Sequence, residues 1–192
     1  MIVLFRLIVQ AVRSRLAARL ESLSATSRIR LRVMPNDLDL NRHVNNGRIY
    51  SLVDLGRMDW LIRSRLMRAG LVRGWMPVVG DSTGRFIRQM KVFEVFTLET
   101  RLLGWTEKWL VIEHRLLRDD GELAAIVAVR AAFVSGRGVV STDKLFELIG
   151  LPPAPSPPLP AWLQTWMTAL QQLSDQARQA ASGPGPDAPG RS

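Results

Sequence analysis

The strongest constraint on this chain is a change of hydrophobic period near residue 84. Between Gly47 and Arg68 the residues Ile49, Leu52, Val53, Gly56, Trp60 and Leu61 repeat at intervals suited to one helical face. Arg48, Arg57, Arg63, Arg65 and Arg68 supply polar positions, and Asp54 with Arg57 and Asp59 with Arg63 have ion-pair spacing. This predicts one long helix. After residue 84 the period falls to two. Arg85–Met90 is short and extended. Val95–Leu102 places Phe96, Leu98, Thr100 and Leu102 on one side; Lys108–Leu116 does so with Leu110, Ile112, His114 and Leu116. Asp119-Asp120-Gly121 is a turn signal into a further strand, Glu122–Val134. Upstream, Ile29, Leu31 and Val33 alternate with Arg28, Arg30 and Arg32, so Ser27–Met34 is a half-buried strand. Strand, long helix, then a run of antiparallel strands is an α+β order. The helix has one sheet to cover it, so the sheet must wrap around the helix. Gly56 inside that helix costs about 1 kcal/mol relative to Ala, which predicts a close backbone approach there. Gly70 is the expected helix stop.

The two ends read differently. In residues 2–23, Leu4, Ile8, Val12, Leu16 and Leu20 repeat at helical spacing, and Arg6, Arg13 and Arg19 share a polar side. Residues 1–26 are therefore expected to hold an amphipathic helix, 27–150 the main domain, and 151–192 a Pro-rich linker, a helix marked by Trp162, Trp166, Leu170 and Leu173, and a Gly/Pro-rich tail expected to be disordered. The apolar run 2–12 is interrupted by Arg6 and is shorter than the roughly 20 residues of a spanning helix. Its charges come within and after the run rather than before it, so a signal peptide is not expected. The N-terminal helix can lie on a membrane surface, or it can pack on its own domain or a partner subunit.

The net charge of +9 is concentrated early: residues 1–35 carry seven arginines against one glutamate. Phospholipid or the phosphates of a cofactor-like substrate would answer to it. Nucleic acid is not expected, because no zinc-finger spacing or RNP-type aromatic motif accompanies the arginines. Cysteine is absent, which removes disulfides, thiolate zinc sites and a cysteine nucleophile and fits a cytoplasmic location. No metal or redox cofactor is indicated.

The chemistry is concentrated between Asn36 and Tyr50: Asn36-Asp37-Leu38-Asp39-Leu40-Asn41-Arg42-His43-Val44-Asn45-Asn46-Gly47-Arg48-Ile49-Tyr50. Two carboxylates, an imidazole and several amides crowd a short loop at a helix start. Such density is costly to bury unless those groups bond each other or a ligand. Asn45 or Asn46 would serve as N-cap. The helix start offers backbone N–H groups and a partial positive charge, suited to an anion or a polarised carbonyl oxygen.

Asp37-Leu38-Asp39, then His43-Val44-Asn45-Asn46 and Tyr50, resembles the loop-and-helix signature of hot-dog-fold acyl-CoA thioesterases of the 4-hydroxybenzoyl-CoA thioesterase type. Val78-Val79-Gly80, Arg85-Phe86 and Asp120-Gly121-Glu122-Leu123-Ala124 resemble strands of that family, and the likeness spans about residues 28–136. The closer likeness is to a bacterial thioesterase-like branch. The resemblance implies a hot-dog fold, with a five- or six-stranded antiparallel sheet wrapped around the central helix. It also implies a homodimer or homotetramer with sites between subunits, and an acyl-CoA or acyl-carrier thioester as substrate. Asp39 matches the family's catalytic carboxylate, with His43 and Asn45 beside it. Arg42, Asn46, Gly47 and Tyr50 are the candidate substrate-binding residues.

Many members have Gly where this chain has Arg42; a charged residue there would alter the loop or meet a CoA phosphate. Asp54 and Asp59 are the alternative carboxylates, since some hot-dog enzymes use one from the central helix. His114, among Leu110, Ile112 and Leu116, reads as a core or interface histidine. Two other functions stay open. One is enoyl-CoA hydration, for which Asp39, Asn41 and His43 have the wrong spacing. The other is a non-catalytic acyl-thioester binder or membrane-linked scaffold.

Overall fold

The computed structural model describes residues 2–152 and 154–181. The tail expected beyond residue 181 lies outside the described residues. The chain divides into two compact units, Met1–Pro157 and Pro158–Ser192. The second contains one long helix, Ala161–Ala181, labelled α5 below.

The first unit opens with α1 (Ile2–Leu16), followed by β1 (Ser27–Arg32), a 3-10 turn at Pro35–Asp37, α2 (Asn46–Arg63) and α3 (Leu66–Val72). The strands β2 (Met76–Phe86), β3 (Val95–Trp105), β4 (Leu110–Arg118), β5 (Leu123–Ser135) and β6 (Gly138–Val140) come next, then α4 (Thr142–Leu148). One antiparallel sheet has the order β1-β3-β4-β5-β2, with β6 paired to β5. The sheet curls around α2, as a hot-dog fold does. The alternation in the sequence is reproduced in the burial: Ile29, Phe96, Leu98, Thr100 and Leu102 point into the core.

Gly56 is where helix and sheet meet. A Cβ at this position would lie 2.4 Å from Thr100 Oγ1 and 2.8 Å from Leu98 Cδ2. The expected close approach is real, and any side chain at residue 56 would push α2 off β3. Trp60, fully buried one turn later, donates its indole N–H to the Leu23 carbonyl at 3.2 Å. This ties the segment before β1 to the helix.

Four expectations need correction. The predicted helix over 47–68 breaks at Arg65, which has φ 70°; the Ser64 hydroxyl bonds the Leu61 carbonyl at 3.2 Å instead of leaving the helix undisturbed. The turn redirects the chain so that Leu66 is fully buried. Gly70 is not a helix stop: it is buried inside α3, where a Cβ would lie 2.6 Å from the Phe133 ring. The left-handed stop falls at Gly74, φ 70°. The extended segment expected at Arg85 begins at Met76. Most of β2 is exposed on both faces, so no alternation marked it. The N-terminal helix likewise ends at Leu16 rather than near residue 23.

His114 sits on β4 opposite Thr100, fully buried, with Nδ1 2.9 Å from Thr100 Oγ1. Its Nε2 is buried without a hydrogen-bond partner. Burial, and secondarily the charge of Arg57, push its pKa well below the ordinary 6.5. The folded protein therefore holds His114 neutral where the unfolded chain would protonate it. The stability this histidine contributes is complete above pH 6.5 and is lost as the pH falls through that value towards the folded pKa. The slope is about 1.4 kcal/mol per pH unit for one proton. Denaturant unfolding at stepped pH is expected to show this loss, and His114→Gln to remove it; the same slope in the variant would contradict the assignment.

Candidate active site

The loop between β1 and α2 is organised by its two aspartates in different ways. Asp37, at the end of the 3-10 turn, is 1% exposed. Its Oδ2 accepts the Met34 N–H at 2.9 Å and a guanidinium N–H of Arg6 at 2.8 Å. Arg48 approaches Oδ1 at 3.5 Å and donates to the Asn36 carbonyl at 3.1 Å. The Asp37 carbonyl accepts the Asn45 N–H at 2.9 Å, which closes the loop. Asp37 is thus the knot joining α1, the loop and α2. No local pattern marks its partners, because Arg6 lies 31 positions away.

Asp39 is half-exposed and holds only its own turn. Its N–H donates to the His43 carbonyl at 2.9 Å, and its carbonyl accepts the Arg42 N–H at 3.0 Å. Its Oδ1 accepts the Asn41 N–H at 2.8 Å and the His43 N–H at 3.4 Å. Backbone donors therefore fix one carboxylate oxygen, while Oδ2 has no hydrogen bond among the described residues. His43 is half-buried, and its Nδ1 is buried without a partner. Such an atom is costly to leave unbonded, and a ligand or water would satisfy it. Arg42, between them, has φ 60°. Its backbone conformation is the one that favours Gly, which accounts for the glycine that many relatives of the motif carry there.

Asn45 is the N-cap of α2: its Oδ1 accepts the Gly47 N–H at 2.8 Å and the Arg48 N–H at 3.3 Å. A Cβ on Gly47 would lie 3.1 Å from that oxygen, so the glycine leaves room for the cap. The cap takes up two of the helix's free donors and leaves the Asn46 N–H unbonded among the described residues. A single backbone donor, together with the Asn45 side-chain amide, is what the helix start presents. Tyr50, one turn on, faces β2: a Cβ at Gly84 would lie 2.8 Å from its hydroxyl, and its ring meets Phe86 edge-on at 6.1 Å.

The helix carboxylates separate cleanly. Asp59 is 2% exposed and accepts from Ser14 at 2.6 Å, Gln10 at 3.2 Å, Ser27 and Arg63. Every lone pair is engaged in joining α1, β1 and α2. Asp54 pairs with Arg57. Both line an apolar cavity of about 240 Å³ among Leu61, Met67, Ile112 and Phe133. Asp39 does not line that cavity.

Comparison with known proteins agrees with this architecture. The thioesterase-like superfamily profile matches residues 33–167. Protein THEM6 of Xenopus laevis is 30% identical over 151 residues, covering 79% of this chain and 71% of that protein. Protein THEM6 of Danio rerio is 30% identical over 153 residues, covering 79% and 73%. Among solved structures, the YbaW probable thioesterase of Escherichia coli superposes with a TM-score of 0.59 at 17% identity, over 64% of this chain and 95% of that one. A 4-hydroxybenzoyl-CoA thioesterase mutant, in complex with 4-hydroxybenzoyl-CoA, gives 0.57 at 17%, over 65% and 99%. The likeness to these structures is one of fold.

The strained position in the loop has a measurable consequence. Relieving a left-handed non-glycine residue is worth about 1 kcal/mol. Arg42→Gly is therefore expected to raise Tm by about 2 °C or more, and Arg42→Ala to give no such gain. Equal melting of the two variants would show that the turn is not strained.

Proposed function

This chain belongs to the thioesterase-like superfamily, and we propose that it hydrolyses acyl thioesters of coenzyme A to a free acid and a thiol. Thioester hydrolysis is the chemistry of that superfamily; the CoA substrate and the residue roles are our reading. The observation that carries it is the state of Asp39. One oxygen is locked by backbone donors and the other is unbonded, in a loop that runs into a capped helix start.

In this reading the free Oδ2 removes a proton from water as that water attacks the thioester carbon. The carbonyl oxygen gains negative charge and is met by the Asn46 N–H and the Asn45 amide, or by donors of a second subunit. The C–S bond then breaks, and the thiolate leaves and takes up a proton. The same Oδ2 is equally placed to attack the carbon itself, with water cleaving the resulting anhydride. His43 orients Asp39 through their shared turn and offers its unbonded Nδ1 to the site. Arg42, exposed beside the turn, suits a CoA phosphate.

A second reading places the base at Asp54, because that carboxylate lines the cavity. Its pairing with Arg57 argues against it, since Asp39 Oδ2 has no such counter-ion. Asp39→Asn keeps an oxygen to accept the Asn41 N–H and removes the basicity. It is expected to lower kcat about a hundredfold or more with little change in Tm. Near-wild-type turnover in Asp39→Asn, with loss in Asp54→Asn, would move the base to the helix. Asp59→Asn is not informative, because that residue holds three elements together. A panel of acyl-CoAs of varied chain length and with aromatic acyl groups tests the activity itself; no turnover on any of them favours an acyl-thioester binder.

We propose also that two copies pair through β2. This strand is an 11-residue edge, largely exposed, with Val78 and Val79 outward. Such edges are normally covered. Light scattering is expected to give at least twice the 21.5 kDa chain mass; a stable monomer would rule the pairing out.

A further inference from the structure

The inward and outward faces of α1 are the reverse of what an amphipathic helix on a protein core normally shows. Three of its polar residues face in. Arg6 reaches Asp37 at 2.8 Å, and Ser14 and Gln10 reach Asp59 at 2.6 and 3.2 Å. Leu7 packs against the core, but five apolar residues face out: Leu4, Phe5, Ile8, Val12 and Leu16 are each more than half exposed, Leu16 at 84%. The helix cannot rotate to bury this stripe without leaving two buried carboxylates short of partners. The fold itself therefore presents the apolar stripe to the outside, and exposed patches of this kind mark interaction surfaces.

What surrounds the stripe selects the partner. Arg13, Arg15 and Arg19 are exposed on or just after the helix. A groove of about 780 Å³ runs alongside, lined by Arg6, Arg13, Arg30 and Arg32 together with Phe5 and Met34, and no acidic residue lines it. An apolar ridge beside a basic groove matches a surface with buried acyl chains and phosphate headgroups. A second copy fits poorly, because a two-fold contact through the stripe would bring the same arginines together. No helix among the described residues is long and apolar enough to cross a membrane.

We propose that α1 and the arginine groove beside it form a docking face for an anionic phospholipid bilayer, with the helix lying in the plane of the interface. Ile8, Val12 and Leu16 enter the acyl boundary. Arg13, Arg15 and Arg32 meet headgroup phosphates, while Arg30 lines the groove paired with Asp119 at 2.6 Å. Deleting α1 does not test this, because it would strip Asp37 and Asp59 of partners. Point changes on the outer face do.

The experiment is co-sedimentation of the full chain with phosphatidylcholine vesicles, with and without phosphatidylglycerol. Wild type is expected to bind the anionic vesicles at least about tenfold more tightly and to lose most of that preference in roughly 0.5 M salt. Ile8→Gln/Val12→Gln/Leu16→Gln is expected to weaken anionic binding at least about tenfold with Tm unchanged. Arg13→Gln/Arg15→Gln should reduce the anionic preference selectively. Wild type that ignores both vesicle types overturns the proposal. So does a triple variant that binds like wild type. A triple variant that keeps vesicle binding but falls to a smaller assembly in light scattering would show instead that another copy covers the stripe. Binding is read without turnover, so its failure leaves thioester hydrolysis untouched.

Discussion

Residue 56 has no side chain, and the whole domain is built on that fact. With α2 pressed against Thr100 and Leu98 at Gly56, the sheet can curl closely enough to bury Leu52, Val53, Leu55, Trp60 and Leu61 along one helix. The same approach brings Arg57 close enough to His114 to disfavour its protonation. A methyl group at this point would overfill a packed layer, and overpacking typically costs about 1–3 kcal/mol. The helix loses about 1 kcal/mol of propensity by carrying glycine; the burial it permits more than offsets that.

A second constraint sets what lies outside this core. Asp37 and Asp59 are both almost fully buried, and burying a carboxylate is tolerable only if it is paired and hydrogen-bonded. Arg48 and Arg63 on α2 supply part of the need. Arg6, Gln10 and Ser14 on α1 supply more, with Ser27 and the Met34 N–H. The N-terminal helix is therefore an internal counter-ion as much as a packing element. Its orientation follows from electrostatics rather than from its apolar residues, which is why those residues end up outside.

The loop between β1 and α2 combines the two demands. Asp37 supplies rigidity from below, and Asn45 caps the helix above. Between these fixed points Asp39, Arg42 and His43 form a turn with a free carboxylate oxygen, a left-handed backbone and an unbonded imidazole nitrogen. A strained backbone, a free carboxylate oxygen and an unbonded imidazole nitrogen gather in this one turn. Such a concentration is what a preorganised site requires.

Elements whose burial is one-sided were legible in the residues alone. The alternation of Ile29, Leu31 and Val33, of Phe96 to Leu102, and of Leu110 to Leu116 specified strands, because each side chain faces either core or solvent. The 3.6 period specified α2, and Gly56 announced its contact. The chemical density of Asn36–Gly47 marked the candidate site, since polar groups crowded between apolar elements must bond each other or a ligand. Everything else depended on long-range contacts made in the fold. Whether a carboxylate is a free base, a knot or a surface ion depends on residues far away in the chain: Arg6 for Asp37, Gln10 and Ser14 for Asp59, Arg57 for Asp54. Edge strand β2 left no period to read because most of its residues are exposed whichever face they point to. The outward turn of α1 could not be read either: helical spacing fixes that two faces exist, and only the buried charges beneath determine which one looks in.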